Sequence, residues 1–138
     1  MTNLNESDKA MRIALEQAKV IAVVGHSDKP HRTSYRIAQY LRQVGYTVYP
    51  VNPTVMEIDG QPSYESLEAI PEPIDIVNVF RRSEHLSDIV DEAIRVGAKV
   101  VWAQLGVVDE QARQKALDAG MDVAMNRCIK IEHASLLR

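Results

Sequence analysis

One cysteine, Cys128, stands in 138 residues. That count excludes an intrachain disulfide and a cysteine-built zinc cage. Aromatic residues make up only 5% of the chain, with one tryptophan, one phenylalanine and five tyrosines. So few rings suit neither a β-sandwich core nor a platform that stacks nucleic-acid bases. Positive charge is not in excess either: 16 Lys and Arg face 19 Asp and Glu, for a formal net charge of −3. A general polyanion binder needs a basic face, so nucleic acid is not an expected partner. No run approaches the roughly 18 apolar residues that cross a bilayer. The opening residues 1–9 lack the basic stretch and apolar segment of a signal peptide. The expectation is a cytoplasmic chain with no membrane partner.

What is present is an alternation. Hydrophobic residues make up 46% of the chain, enough for a buried core. Strand-length apolar or β-branched runs occur at residues 20–24, 47–51, 74–80, 100–103 and 121–125. Mostly apolar strands of this kind are buried on both faces, as in parallel sheets covered by helices. Between them, Ile37, Ala38, Leu41 and Val44 fall at helical spacing, as do Leu86, Ile89, Val90, Ala93 and Ile94, and then Ala112, Ala116 and Leu117. Each helical stretch ends alike, at Gly45, Gly97 and Gly120, where a glycine supplies the left-handed residue that turns the chain into the next strand. Ser83 and Asp109 are the expected N-caps of the second and third of these helices. The proline-rich stretch 53–73 reads as an irregular connection with one short turn around residues 66–69. The predicted fold is α/β: a single Rossmann-like, doubly wound domain of about five parallel strands flanked by helices. It spans residues 1–138, with a leading helix within 1–19, a βα core over 20–126 and a C-terminal tail over 127–138.

In such a fold ligands bind beyond the carboxyl ends of the strands, where strand order reverses. The loop after the first strand, residues 25–34, resembles a phosphate cradle. Gly25 lets backbone approach a ligand; Ser27, Thr33 and Ser34 bring hydroxyls; a helix start brings free N–H groups. Residues 25–42 hold Lys29, Arg32, Arg36 and Arg42 against Asp28 alone. A dinucleotide fingerprint would need two further glycines and an acid closing the second strand, where Asn52-Pro53 stands instead. A Walker A loop is absent, and Phe80-Arg81 occupies the place where a receiver domain carries its acceptor aspartate.

Five strand-end motifs, in order, carry a family resemblance. Val23-Val24-Gly25-His26-Ser27, Val51-Asn52-Pro53, Val79-Phe80-Arg81-Arg82, Trp102-Ala103-Gln104-Leu105-Gly106-Val107 and Asn126-Arg127-Cys128 resemble those of the small CoA-binding domain proteins. That family is similar in turn to the N-terminal CoA-binding domain of the succinyl-CoA synthetase alpha subunit. The resemblance covers about residues 18–133. It implies coenzyme A or an acyl-CoA lying across the strand ends. Gly25, His26, Ser27 and Asp28 with the helix start would hold the pyrophosphate, and Asn52 with Pro53 would sit near the adenosine half. Phe80, Arg81 and the segment Gln104 to Gly106 would line the pantetheine path. The family usually has Ala at His26, Pro at Thr33, Asp at Asn126 and Pro at Ile129; Asn126 therefore lacks the carboxylate that acid/base work would use.

Lys29, Arg32, Arg81 and Ser34 complete the candidate ligand-holding set. His26 and His31 read as loop histidines, Trp102 as a core or subunit-contact residue, and Cys128 as a buried, inert thiol rather than one that reacts with CoA. No nucleophile–base pair, G-x-S-x-G elbow or H-E-x-x-H motif occurs. The expected function is CoA or acyl-CoA binding without catalysis of its own. The alternatives are an NAD(P)-type enzyme using the same cleft and an interaction subunit of an acyl-CoA synthetase-like complex. A homo-oligomer or a partner subunit is compatible with either.

Overall fold

A computed structural model describes residues 1–137. Five parallel strands form the main sheet: β1 (Val20–Val24), β2 (Thr47–Val51), β5 (Ile76–Val79), β6 (Val100–Ala103) and β7 (Asp122–Met125), in the spatial order β2-β1-β5-β6-β7. Between β2 and β5 lies a small hairpin, β3 (Glu57–Ile58) and β4 (Gln61–Pro62). Helices α1 (Asp8–Gln17), α2 (Thr33–Gln43) and α5 (Ile129–Leu136) cover one face, and α3 (Leu86–Val96) and α4 (Glu110–Asp118) the other. Every residue of β1, β5 and β6 is buried. Their unbroken apolar runs follow from this: alternate side chains feed opposite layers, Ala22 and Val24 toward α3, Ile21 and Val23 toward α2.

Gly45, Gly97 and Gly120 all take positive φ and end α2, α3 and α4. Asp109 caps α4 as expected, its carboxylate accepting from Ala112 N–H at 3.1 Å. Ser83 does not cap α3. A 3-10 turn, Ser83–His85, precedes that helix, and the Ser83 hydroxyl is taken by the neighbouring loop, accepting from Val108 N–H and donating to the Gly106 carbonyl. The connection 53–73 is more ordered than its prolines suggest. Asp59 (φ 51°) and Gly60 (φ 81°) form the two-residue turn that joins β3 to β4, and a 3-10 turn at Leu67–Ala69 follows. Residues 129–136, within what reads in sequence as a tail, form α5.

Both sheet edges are covered. Asn3 bridges to Val123, and the Asn5 side chain pairs with Met125 as a strand would, accepting from its N–H at 2.8 Å and donating to its carbonyl at 2.7 Å. On the other edge Tyr64 bridges to Val51. Inside, Asn78 shares the face of Ile76 on the central strand, fully buried, and neither its amide nitrogen nor its oxygen has a partner among the described residues. An unpaired buried amide costs about 1–3 kcal/mol. Asn78→Val should therefore raise the urea unfolding free energy by about 1 kcal/mol. A fall instead would mean that the amide is paired by something other than the chain.

Candidate functional site

Strand order reverses between β1 and β5, which are neighbours although β1 connects onward to β2 and β5 to β6. Gly25 sits at this point. Its N–H extends the ladder to the Val51 carbonyl at 2.9 Å, while Phe80 N–H reaches the Val24 carbonyl at 2.8 Å. A Cβ on Gly25 would stand 3.0 Å from the Phe80 carbonyl oxygen, and φ is +89°. Both facts demand glycine. The close neighbour is the exit of β5 itself, so Gly25 serves the crossing of the two strands first.

The loop that follows is tied internally. Ser27 N–H donates to Ser34 Oγ at 2.9 Å, Lys29 N–H to Ser27 Oγ at 3.0 Å, and Arg32 N–H to the Lys29 carbonyl at 3.0 Å. The Ser27 and Ser34 hydroxyls thus shape the loop, each keeping its own proton to donate. Asn52, at the end of β2, donates to the His26 carbonyl at 2.9 Å and accepts from Thr54. What the loop leaves unspent is the start of α2: Arg32 occupies the cap position with no side-chain cap, whereas α1 and α4 are capped by Ser7 and Asp109. Among the described residues Lys29, Arg32, Arg36 and Arg81 pair with no carboxylate. Asp28, Lys29 and Arg32 are exposed.

Phe80 and Arg81 lie beside Gly25, the Arg81 Cδ 3.2 Å from where its Cβ would be. Gln104 is buried at 5% exposure, and its Oε1 accepts from Ile129 N–H at 2.9 Å, fixing the start of α5. Gly106 N–H donates to Asn126 Oδ1 at 2.8 Å, and Asn126 holds φ 58°. Asn126 therefore fastens the β6 loop to the β7 loop, a role an amide oxygen fills without any proton transfer. Leu105 and Val108 project as an apolar lip, 61% and 44% exposed. Asn52 and Pro53 line a hollow of about 340 Å³ with Val55, Met56, Ser63 and Tyr64. A larger hollow, about 550 Å³, lies at the opposite end of the strands around Gly97, Gly120 and Met1. It is lined by Lys99, Asp122 and the Met1 ammonium, which donates to the Leu117 and Met121 carbonyls, and by no helix N-terminus.

His26 departs from a loop histidine. Its ring is fully buried, and both nitrogens are engaged, Nδ1 2.7 Å from the Ser27 carbonyl and Nε2 3.2 Å from Arg42 Nη2. Burial, with the Arg42 charge adding to it, holds the imidazole below its ordinary pKa, against the opposing pull of the Ser27 carbonyl and Asp59. His26 thus presents backbone, not an imidazole, to the loop's exterior. Trp102 is a core residue whose Nε1 donates to the Arg127 carbonyl, and Cys128 is buried. Among the described residues, no three His, Cys, Asp or Glu side chains gather as a metal site, and no helix is long and apolar enough to cross a membrane.

A five-stranded parallel sheet with helices on both faces and a strand-order switch between β1 and β5 defines the class: a Rossmann-like α/β domain. The comparisons narrow the class. The model of the CoA-binding domain family matches residues 19–134, so the chain belongs to that family. An uncharacterised Bacillus subtilis protein, YneT, is 45% identical over 130 residues, covering 94% of this chain and 96% of its own length. A hypothetical protein from Pyrococcus horikoshii superposes with a TM-score of 0.92 at 40% identity, covering 96% of this chain and 93% of that one. The alpha subunit of acetate–CoA ligase (ADP-forming) I from Pyrococcus furiosus is 28% identical over 124 residues, covering 81% of this chain but only 27% of the subunit. The chain is thus a CoA-binding domain related to ligase subunits several times its length.

The strand crossing generates a stability prediction. Gly25→Ala should cost about 1–3 kcal/mol from the positive φ, with the contact at Phe80 adding to it. Chemical denaturation measures this. An unchanged midpoint would show that the β5 exit yields freely.

Proposed function

We propose that this protein binds coenzyme A or an acyl-CoA across the carboxyl ends of β2, β1, β5 and β6, without catalysis of its own and in the cytoplasm. One observation carries the reading: α2, which follows the switch-point loop, starts without a side-chain cap, and Lys29, Arg32 and Arg81 pair with no carboxylate among the described residues. The residues present fit such a ligand. Backbone N–H groups of the first turn of α2 and those of His26 and Asp28 would receive the pyrophosphate, helped by the positive end of the helix dipole, while the Gly25 and Ser27 N–H groups, bonded to Val51 and Ser34, shape the loop around it. Asn52 and Pro53, beside their hollow, would take the adenosine half. Phe80, Gln104 and Gly106, with Leu105 and Val108 as an apolar border, would follow the pantetheine arm and shelter an acyl group.

The donor set disfavours NAD(P). A dinucleotide's ribose diol calls for a carboxylate at the end of the second strand, and the Asn52 amide there is already spent on His26 and Thr54. The kinship with ligase subunits supports a second reading, in which the domain serves a partner subunit. The exposed Leu105 and Val108 would then meet that partner over the bound acyl group.

CoA should raise Tm, whereas NAD should not. At a hundredfold excess over Kd the ligand adds about 2.7 kcal/mol, a shift of roughly 3–8 °C for a domain of this size. Stabilisation by NAD alone would overturn the assignment. Calorimetry on a Lys29→Ala, Arg32→Ala double variant should show CoA affinity reduced at least about tenfold. Incubated acetyl-CoA should stay intact beyond background hydrolysis, since the site holds cations and amides that bind ground and transition states alike. Turnover proportional to protein concentration would make the domain an enzyme.

A further inference from the structure

The phosphate loop is bound to the β3–β4 hairpin by a set of side chains that phosphate binding does not need. The Ser27 carbonyl can only accept, so His26 Nδ1 carries the ring hydrogen and donates to it, leaving Nε2 as a lone pair. Arg42 Nη2, from the last turn of α2, donates to that lone pair. The same guanidinium donates to Gln39 Oε1 at 3.0 Å and to Gln61 Oε1, in β4, at 3.1 Å. Gln61 in turn donates to the Val48 carbonyl at 2.7 Å. At the hairpin tip Asp59 accepts from the Tyr35 hydroxyl, and the Tyr35 ring stands edge-on to the imidazole.

The circuit closes through the proposed ligand site. Asn52 donates from its side chain to the His26 carbonyl, and its own carbonyl accepts from the Ser63 hydroxyl, just past β4. Loop, β2 exit and hairpin thus form one ring, with the His26–Arg42 contact as the link that depends on protonation. A proton on Nε2 removes the lone pair that Arg42 uses and sets two cations against each other in a buried place. The groups facing the imidazole are Arg42 and Tyr35 from α2, Asp59 and Gln61 from the hairpin, and the Ser27 carbonyl of its own loop. The Ser27 carbonyl and, less strongly, Asp59 favour the imidazolium, and Asp59 is already engaged by Tyr35.

We propose that the His26–Arg42 contact is a proton-sensitive latch: it holds the β3–β4 hairpin against the phosphate loop, and its opening on protonation of His26 weakens binding at the CoA-type site. The second half rests on the function proposed above. The sign follows from linkage. The folded imidazole titrates below its unfolded value of about 6.5. The latch's stabilisation is therefore complete above about pH 6.5 and drains away as pH falls toward the folded pKa.

The test follows the His26 ring and the amides of residues 57–64 by NMR from about pH 7.5 to about pH 5. We expect ring and hairpin to shift together, with one midpoint below that of a free histidine. In Arg42→Met the hairpin amides should already exchange faster at neutral pH and show no further step on acidification. The CoA Kd should rise roughly tenfold more over this range in the wild type than in His26→Gln. That variant keeps an acceptor for Arg42 and cannot charge, and it carries the same titration of the ligand's own phosphates. A ring that titrates while the hairpin amides stay still would overturn the latch. So would global unfolding before any local change. Coupled titration with no CoA binding at any pH would refute the ligand assignment and leave the latch standing.

Discussion

The exits of β1 and β5 approach so closely that the Phe80 carbonyl occupies the space a side chain on residue 25 would need. From that crossing the chain must leave in two directions, β1 toward α2 and β2, β5 toward α3 and β6. Only a residue without Cβ, in a left-handed conformation, satisfies both the contact and the turn. The cleft between the departing loops, the aim of the α2 N-terminus and the seat of Arg81 beside Gly25 all follow from this approach. Geometry fixed by packing thereby creates a place where backbone donors face outward without a partner of their own.

Polar groups around the cleft divide into two kinds. The Ser27 and Ser34 hydroxyls, the Asn52 amide, the Gln104 carboxamide and Asn126 hold loops to one another. The Lys29, Arg32 and Arg81 side chains pair with no carboxylate among the described residues. Under the function proposed above, the first set would lower the entropy lost when a ligand orders the loops, and the second would supply the attraction.

Two buried polar residues show how differently the interior treats such groups. Asn78 lies in the middle of the sheet with no side-chain hydrogen-bond partner among the described residues, a standing cost to folding. His26 is buried and Arg42 half-buried, yet both imidazole nitrogens are matched as long as the ring stays neutral. The pairing is stable because one member is uncharged. For the same reason it is sensitive to pH, whereas an ordinary ion pair in this position would pay desolvation twice.

The sequence by itself determined the fold class, the five strands and the helix stops, because apolar runs, 3.6-residue spacing and glycine punctuation are local properties of the chain. It also placed the five motifs at the carboxyl ends of the strands, since in a doubly wound sheet the position of these loops follows from topology. The β3–β4 hairpin turning at Asp59-Gly60 reads in sequence only as part of an irregular connection, because the prolines around it obscure two such short strands. Other features had no local signature. Ser83 has the look of a helix cap and spends its hydroxyl on a loop 23 residues away. Residues 129–136 form a helix held by Gln104 from 25 residues upstream and by packing against α1 and α2. His26 reads as an exposed loop residue until Arg42, sixteen positions on, and a hairpin further still close over it. Burial, hydrogen-bond partners and hence protonation state depend on groups distant in sequence. Only the tertiary structure brings them together.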